Sequence, residues 1–134
     1  MKKLDNFCSC LKTLKGADYK IAQNDEIYRR GIIWQFYLSF ELAWKALKEV
    51  LKQHGVYVSE IETPLEVLQT GYKYHFIDDE EVWLLMLKKR NLSVHVYNEE
   101  EIDEMLILIR DSFIPVLDEL AQTLTKKLAE TEES

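Results

Sequence analysis

The chain consists of long stretches with apolar residues at helical spacing, separated by short polar connections. The first stretch, about residues 2 to 23, has one apolar stripe with a polar back. The second, about residues 25 to 54, is apolar around much of its circumference. A helix of that kind is either central in its bundle or covered on its second side by another subunit. Its two stripes are Ile27, Gly31, Trp34, Leu38, Leu42 and Ile33, Phe36, Phe40, Ala43, Leu47, Val50.

Capping residues mark where the next two helices begin. Thr63 followed by Pro64 and then Glu66 is a strong start signal, and it predicts a short helix as far as residue 75. Asp78 with Glu81 three residues later resembles a capping box. We therefore expect a further helix that begins at Asp78 and ends near residue 93.

The last helix is predicted to begin after Asn98, with Glu101 completing the cap. Pro115 removes a backbone donor and should kink or break this helix. Residues 130–134 form an acidic tail that we expect to fray. The pattern as a whole predicts an all-α chain, an antiparallel up-and-down four-helix bundle with an additional short helix.

Composition supports a single domain over residues 1–134, because 47% hydrophobic residues can fill one core and only four Gly and two Pro interrupt the helices. The formal net charge of −7 excludes broad electrostatic attraction to nucleic acid, so any such contact must be local. The N-terminal MKKLDNFCSC does not read as a signal peptide, and no long apolar run predicts a membrane span. We expect a cytoplasmic protein without a cofactor or a metal site.

One stretch, KRNLSVHVY at 89–97, carries candidate chemistry. Arg90 and His95 would lie about 140° apart on a continuous helix, so they can converge only if the helix ends between them. The cap at Asn98 places that end in the right region. Asn91 follows the arginine and could orient either a substrate or the imidazole, and Tyr97 closes the motif.

These residue types together can cleave RNA without a metal. Arg90 is a permanent cation whose planar fork matches phosphate oxygens, and His95 can move a proton near neutral pH. Lys88 and Lys89 complete the best local basic cluster for RNA or a nucleotide. The hydroxyl of Tyr97 could accept a modifying group.

A structural interpretation of the same residues stays open. Arg90 would then bind helix carbonyls, His95 would satisfy a turn and Tyr97 would be a half-buried packing residue. Glu41 is the one acid on an apolar face of the second helix, and it either pairs with Lys45 at the favourable i,i+4 spacing or faces the site.

Three blocks resemble a known family in order and spacing: FELAWKALKEVL (40–51), TPLEVLQTGY (63–72) and DDEEVWLLMLKKRNLSVHVYNEE (78–100). They look like the nucleotidyltransferase substrate-binding proteins of the HEPN superfamily (higher eukaryotes and prokaryotes nucleotide-binding domain). The resemblance runs over nearly the whole chain. It implies a four-helix bundle, commonly a homodimer, that forms a complex with a minimal nucleotidyltransferase (MNT) encoded nearby, with a heterotetramer as one arrangement.

The resemblance also implies two activities around the motif. Related HEPN proteins are ribonuclease toxins that use an Arg-x4-His site at the dimer interface. In some pairs the nucleotidyltransferase is the antitoxin and transfers AMP to the motif tyrosine. On this sequence Arg90, Asn91 and His95 match the catalytic positions, and Tyr97 matches the AMP acceptor.

The sequence departs from the family pattern at two places. Gln35-Phe36-Tyr37 stands where relatives often have Arg-Phe-Glu, and Lys89 replaces an acid before the motif arginine. Three hypotheses follow: a metal-independent endoribonuclease toxin, a non-catalytic subunit that binds substrate or nucleotide for a nucleotidyltransferase, and a purely structural dimer. The chain lacks a Gly-Ser loop beside metal-binding carboxylates, so it is not itself predicted to be the transferase.

Overall fold

The computed structural model describes residues 1–59, 62–92 and 97–133, and within these ranges the regular structure is helical, with no strand. None of the helices there is long and apolar enough to cross a membrane. The helices are α1 (Lys2–Lys15), α2 (Tyr19–Ala22), α3 (Glu26–Gln53), α4 (Pro64–Lys73), α5 (Glu80–Asn91), α6 (Glu99–Leu108) and α7 (Ile114–Glu133), and a π-helical turn (Ile109–Phe113) joins α6 to α7.

The core forms around α3, which every other helix packs against. The second of its two predicted apolar stripes is buried along its whole length. Phe36 lies at the centre, with its ring stacked on that of Phe113 at a centroid distance of 4.9 Å. Trp83 of α5 reaches the same core, where its ring lies 6.2 Å from that of Phe40.

Helix α1 runs antiparallel to α3. Lys3, at the start of α1, forms an ion pair with Glu49 near the end of α3, with an N–O distance of 3.7 Å. Further along α1, the sulfur of Cys10 lies 3.4 Å from the hydroxyl of Ser39. The apolar stripe of α1 has four buried side chains: Leu4, Phe7, Leu11 and Leu14.

The helices α6 and α7 form one long rod that runs parallel to α3. Arg29, near the start of α3, pairs with Asp103 of α6. At the other end, Nε2 of His54 lies 2.7 Å from the carbonyl oxygen of Lys127. The contacts therefore advance in the same direction along both rods.

Helix α5 returns antiparallel to α3. Phe76, which precedes α5, packs against His54 beyond the end of α3, with ring centroids 5.5 Å apart. Tyr97, which follows α5, contacts Tyr37 in the first half of α3. The rods α1, α3, α5 and α6–α7 thus alternate in direction, and α4 is the additional short helix. The predicted all-α bundle is confirmed.

The predicted caps are largely confirmed. The Thr63 hydroxyl accepts from the backbone N–H of Glu66 in the first turn of α4, and Asn98 and Glu101 form a reciprocal capping box on α6. The cap of α5 was predicted one residue early. Asp79 supplies the capping carboxylate, because the carbonyl of Asp78 accepts from Glu80 in a turn that lies outside the helix.

One boundary differs from the expected one. The first segment is two helices rather than one, since α1 ends at Lys15 and the Asp18 carboxylate caps the separate helix α2. At the other end of the chain α7 runs to Glu133, Ser134 lies outside the described residues, and the fraying of residues 130–134 stays a prediction.

Pro115 does not break the last rod. The five residues before α7 form a π turn in which the N–H of Ile114 donates to the carbonyl of Ile109, five residues back. This wider turn accommodates the proline, which would clash with the preceding turn of a regular α-helix. The predicted distortion therefore appears as a bulge within a continuous rod.

The first predicted stripe of α3 stays uncovered at its N-terminal end. Ile27 is 86% exposed, Trp34 is 62% exposed and Leu38 is 40% exposed. Gly31 lies between them, and a Cβ added there would meet no atom within 4 Å. These four residues are called the α3 stripe below. It is an exposed apolar surface on the central helix of the fold.

Replacing Phe36 by alanine should lower the free energy of unfolding by about 3–5 kcal/mol, because the change removes a fully buried ring and its stacking contact with Phe113. Urea denaturation monitored by circular dichroism measures this. The matched control is Tyr57→Ala, which removes an aromatic ring that is 88% exposed and should change the same quantity by less than about 0.5 kcal/mol. Equal losses in both variants would contradict the core described here.

Candidate functional site

The candidate site begins at the end of α5. The last turn of this helix carries Lys88, Lys89 and Arg90, and it closes where the N–H of Leu92 donates to the carbonyls of Lys88 and Lys89. Cations are favourable at a helix C-terminus because the negative ends of the backbone carbonyl dipoles lie there. The sequence predicted that the helix ends between Arg90 and His95, and α5 does end at Asn91.

The guanidinium of Arg90 is held by two oxygen acceptors. Its Nε donates to Oε1 of Glu41, and its Nη1 donates to Oδ1 of Asn91 at 3.1 Å. The other oxygen of Glu41 accepts from the indole N–H of Trp44 at 3.1 Å. Glu41 therefore joins Arg90 to Trp44. The Arg90 and Glu41 side chains remain 33% and 28% exposed, so solvent screens their attraction only in part.

Of the two alternatives for Glu41, the structure supports the one that faces the site. The pair with Lys45 is not formed, because the tertiary contact with Arg90 takes the carboxylate instead. The Lys45 ammonium lies 5.8 Å from the centre of the Trp44 ring. The bonds of Arg90 described above run to side chains rather than to helix carbonyls, and Asn91 orients Arg90 itself.

Tyr97 turns towards the core at the far end of the motif. Its hydroxyl lies 2.8 Å from the hydroxyl of Tyr37 and 3.4 Å from the carbonyl oxygen of Leu92. Since a carbonyl can only accept, Tyr97 donates to Leu92 and Tyr37 donates to Tyr97. Tyr97 is half-buried, as the structural interpretation of the motif expects.

The hydroxyl of Tyr37 is held in its neutral form. Only 7% of this residue is exposed, and the resulting desolvation raises the pKa of the Tyr37 hydroxyl well above its usual value near 10. The hydrogen bond to Tyr97 raises this pKa further. Tyr37 is therefore a stable donor to Tyr97 throughout the physiological pH range.

Both ends of the motif rest on one face of α3. Tyr37 and Glu41 are four residues apart, so Tyr97 and Arg90 contact the same face about one turn apart, or roughly 6 Å along the axis. Arg30 extends this face, since its Nη2 donates to the carbonyl oxygen of Tyr97 at 3.4 Å. The motif is therefore anchored to α3 on either side of residues 93–96.

Some predicted positions remain outside these contacts. His95 falls among residues 93–96, which lie outside the described ranges. Lys88 is exposed and Lys89 is half-buried on the last turn of α5. Within the ranges that are described, no group of three His, Cys, Asp or Glu side chains is placed to hold a metal ion.

Sequence reasoning missed Tyr37 and Trp44 as parts of the site. In the sequence Tyr37 stands out only as a departure from the family pattern, and Trp44 only as a member of the family block at 40–51. A signal was present, because positions 30, 37, 41 and 44 lie on one side of a helix. Their partners on the motif could not be read from that spacing.

A comparison with known protein families identifies the family of this chain. The family model described as "nucleotidyltransferase substrate binding protein like" matches residues 2–126. The match covers most of the chain, so the protein belongs to this family. No curated protein matches the sequence.

Replacing Tyr37 by phenylalanine should make the free energy of unfolding fall less steeply as the pH rises above 10. Because folding raises the pKa of the Tyr37 hydroxyl, this group stabilises the folded state at pH values below its unfolded pKa near 10. That stabilisation is lost as the pH rises towards the pKa of the folded state. The wild type should therefore lose up to about 1.4 kcal/mol more per pH unit above pH 10 than Tyr37→Phe does. Urea denaturation between pH 8 and pH 11 measures both slopes.

The matched control is Tyr57→Phe, which removes a hydroxyl from a residue that is 88% exposed. Its alkaline slope should equal that of the wild type. If Tyr37→Phe also follows the wild-type slope, Tyr37 titrates normally and the inference that it is a buried neutral donor is wrong.

Proposed function

We propose that this chain is the HEPN component of a two-component pair with a minimal nucleotidyltransferase, and that it is a metal-independent endoribonuclease with toxin activity. Arg90, Asn91 and His95 would form its active site. The observation that carries the proposal is the orientation of Arg90, whose guanidinium is fixed by Glu41 and Asn91 at the end of α5. The next residues of the chain lead to the motif histidine.

Arg90 is suited to bind a phosphate on which charge develops. A guanidinium offers five N–H donors in a fixed plane, and the bonds to Glu41 and Asn91 use its Nε and one Nη. The side chain is still one-third exposed. Orientation before the substrate arrives is what makes such a donor effective in electrostatic stabilisation.

His95 would move the protons of the reaction. As a base it takes the proton of a ribose 2′-hydroxyl, whose oxygen then attacks the adjacent phosphorus. The bond from phosphorus to the 5′-oxygen breaks, and that oxygen leaves with a proton. The products are a 2′,3′-cyclic phosphate and a free 5′-hydroxyl, and Arg90 offsets the negative charge that builds on the phosphoryl oxygens.

The partner nucleotidyltransferase would silence this site by modifying Tyr97. The phenol oxygen of Tyr97 attacks the α-phosphorus of ATP, the bond between the α- and β-phosphates breaks, and pyrophosphate leaves while the phenol proton passes to a base. The Tyr97 hydroxyl is bonded to Tyr37 and to the carbonyl of Leu92. Modification therefore requires Tyr97 to turn away from α3.

The second candidate function is a non-catalytic subunit that binds substrate or nucleotide for the nucleotidyltransferase. The description of its family favours it. The ion pair between Arg90 and Glu41 also favours it, because a balanced arginine can serve as a docking contact without chemistry. Under this alternative, loss of His95 changes no cleavage reaction.

The decisive experiment incubates total cellular RNA with the purified protein in the presence of a chelator and compares it with His95→Ala. Removing a general acid–base typically lowers a rate by about 10²–10⁴-fold, so discrete fragments should appear with the wild type only. Mass spectrometry first establishes that the purified chains carry no AMP. The matched control is His75→Asn, which removes an exposed imidazole from the turn after α4 and should cleave like the wild type.

Intact RNA with correctly folded, unmodified wild type would reject the ribonuclease and favour the binding subunit. Fragments of equal intensity from wild type and His95→Ala would instead indicate a contaminating nuclease. Growth arrest on expression without the partner, absent in Arg90→Ala, would support the toxin role in the cell.

We also propose that the active form is a homodimer that buries the α3 stripe. This stripe is exposed, apolar and centred on Gly31, where a second helix can approach closely. Sedimentation should give twice the chain mass of 15.9 kDa for the wild type and the single mass for Trp34→Glu. The control Leu65→Glu places the same charge on an exposed leucine of α4 and should remain dimeric. A monomeric wild type would disprove this assembly.

A further inference from the structure

A basic groove lies on the side of α3 beyond Glu41. It has a volume of about 360 Å³, and we call it the lysine groove. Its lining combines four lysines, one glutamate and one aromatic ring: Lys3, Trp44, Lys45, Lys48, Glu49 and Lys52. Among the residues that the structure describes, lysines outnumber glutamate four to one in this lining, on a chain whose net charge is −7. Such a local contrast is what a chain of acidic composition needs in order to bind a polyanion.

The spacing of the lysines follows from the helix. Lys45, Lys48 and Lys52 recur at three and four residues, which aligns them along one face of α3. Lys3 comes from α1 and forms an ion pair with Glu49, the acid among the described lining residues, at 3.7 Å. The lysines of α3 therefore lie along one face of the helix beside this ion pair.

Trp44 gives the groove a rigid aromatic wall. Its indole N–H is fixed by the Glu41 carboxylate at 3.1 Å, and the side chain is half-buried. The Lys45 ammonium lies 5.8 Å from its ring centre. Proteins that bind single-stranded nucleic acids combine aromatic rings with basic side chains, because bases stack on the rings and the cations bind the phosphates.

The groove adjoins the candidate site through one residue. Glu41 accepts from Trp44 with one oxygen and from Arg90 with the other. From position 41 to Lys52 the helix rises about 16 Å, a length that accommodates a few nucleotides of an extended strand. A phosphate backbone lying in the groove would arrive directly at Arg90.

We propose that the lysine groove binds single-stranded RNA and directs its backbone to Arg90. The inference rests on the proposed ribonuclease function and adds the surface that holds the substrate. An acidic protein segment would use the lysines but would gain little from Trp44, which is why the groove favours a nucleic acid. The roles differ: Arg90 contacts the reacting phosphate, whereas the groove residues hold neighbouring nucleotides.

The test measures binding apart from cleavage. Fluorescence anisotropy follows a labelled 12-nucleotide single-stranded RNA with His95→Ala protein in chelator, at several salt concentrations. Adding Lys45→Gln and Lys48→Gln should weaken binding and reduce the slope of log affinity against log salt by about 1.4, since each phosphate contact on a single strand contributes about 0.7. Trp44→Leu should weaken binding by about 5- to 100-fold through lost stacking.

The matched control carries Lys20→Gln and Lys126→Gln, which make the same change in net charge on α2 and α7, outside the groove. Its affinity and salt slope should equal those of the parent protein. Circular dichroism of every variant establishes that the fold is kept. Equal weakening in the control and the groove variants would overturn the proposal, because net charge alone would then explain the binding.

Failure of the groove and failure of the ribonuclease give different results. If the groove variants bind RNA like the parent while the wild type cleaves, the groove assignment is wrong and the ribonuclease stands. If binding depends on the groove but no cleavage occurs, the groove stands and the chain is a binding subunit. Absence of RNA binding by the parent protein overturns the groove proposal, and binding of a polyglutamate peptide instead would identify an acidic protein as the occupant.

Discussion

Burial of one side of α3 is the constraint on which the rest of this structure depends. A helix of 28 residues with large apolar side chains on one face is stable only if other helices cover that face, and each of the other helices packs against it. The polar contacts of the motif follow from this arrangement, because Arg90 and Tyr97 reach side chains that α3 presents beside its buried face. Arg90 and Tyr97, the two ends of the candidate site, are thus positioned by their contacts with α3.

Glu41 has a special place in this arrangement, because it brings a negative charge into an apolar stretch. A carboxylate in such a position is costly unless cations and donors meet both of its oxygens. Arg90 and Trp44 do so, one from a neighbouring helix and one from the next turn. A single partly buried acid therefore connects the motif arginine with the surface where the lysines lie, and a change at Glu41 would be felt on both sides.

The sequence was sufficient for the helices and most of their caps, because helix periodicity and capping are local properties. Thr63 and Asn98 were recognised from residues within three positions of each other. The partner of Glu41 could not be found in this way, because local spacing favoured Lys45 whereas the ion pair forms with Arg90 of α5. The bond between Tyr37 and Tyr97 and the contribution of Lys3 to the groove depend likewise on how separate helices lie side by side.

The π turn of the last rod also solves a problem of phase. Met105, Ile109, Phe113 and Leu117 are all buried, yet they are spaced four residues apart over three turns. In a regular α-helix, twelve residues at about 100° each overshoot three full turns by about 120°, so Leu117 would point well away from the direction of Met105. The π turn has more residues per turn than an α-helix, and it therefore compensates for this surplus rotation. The inserted turn keeps the buried positions of α6 and α7 in phase, so that both helices face the same core.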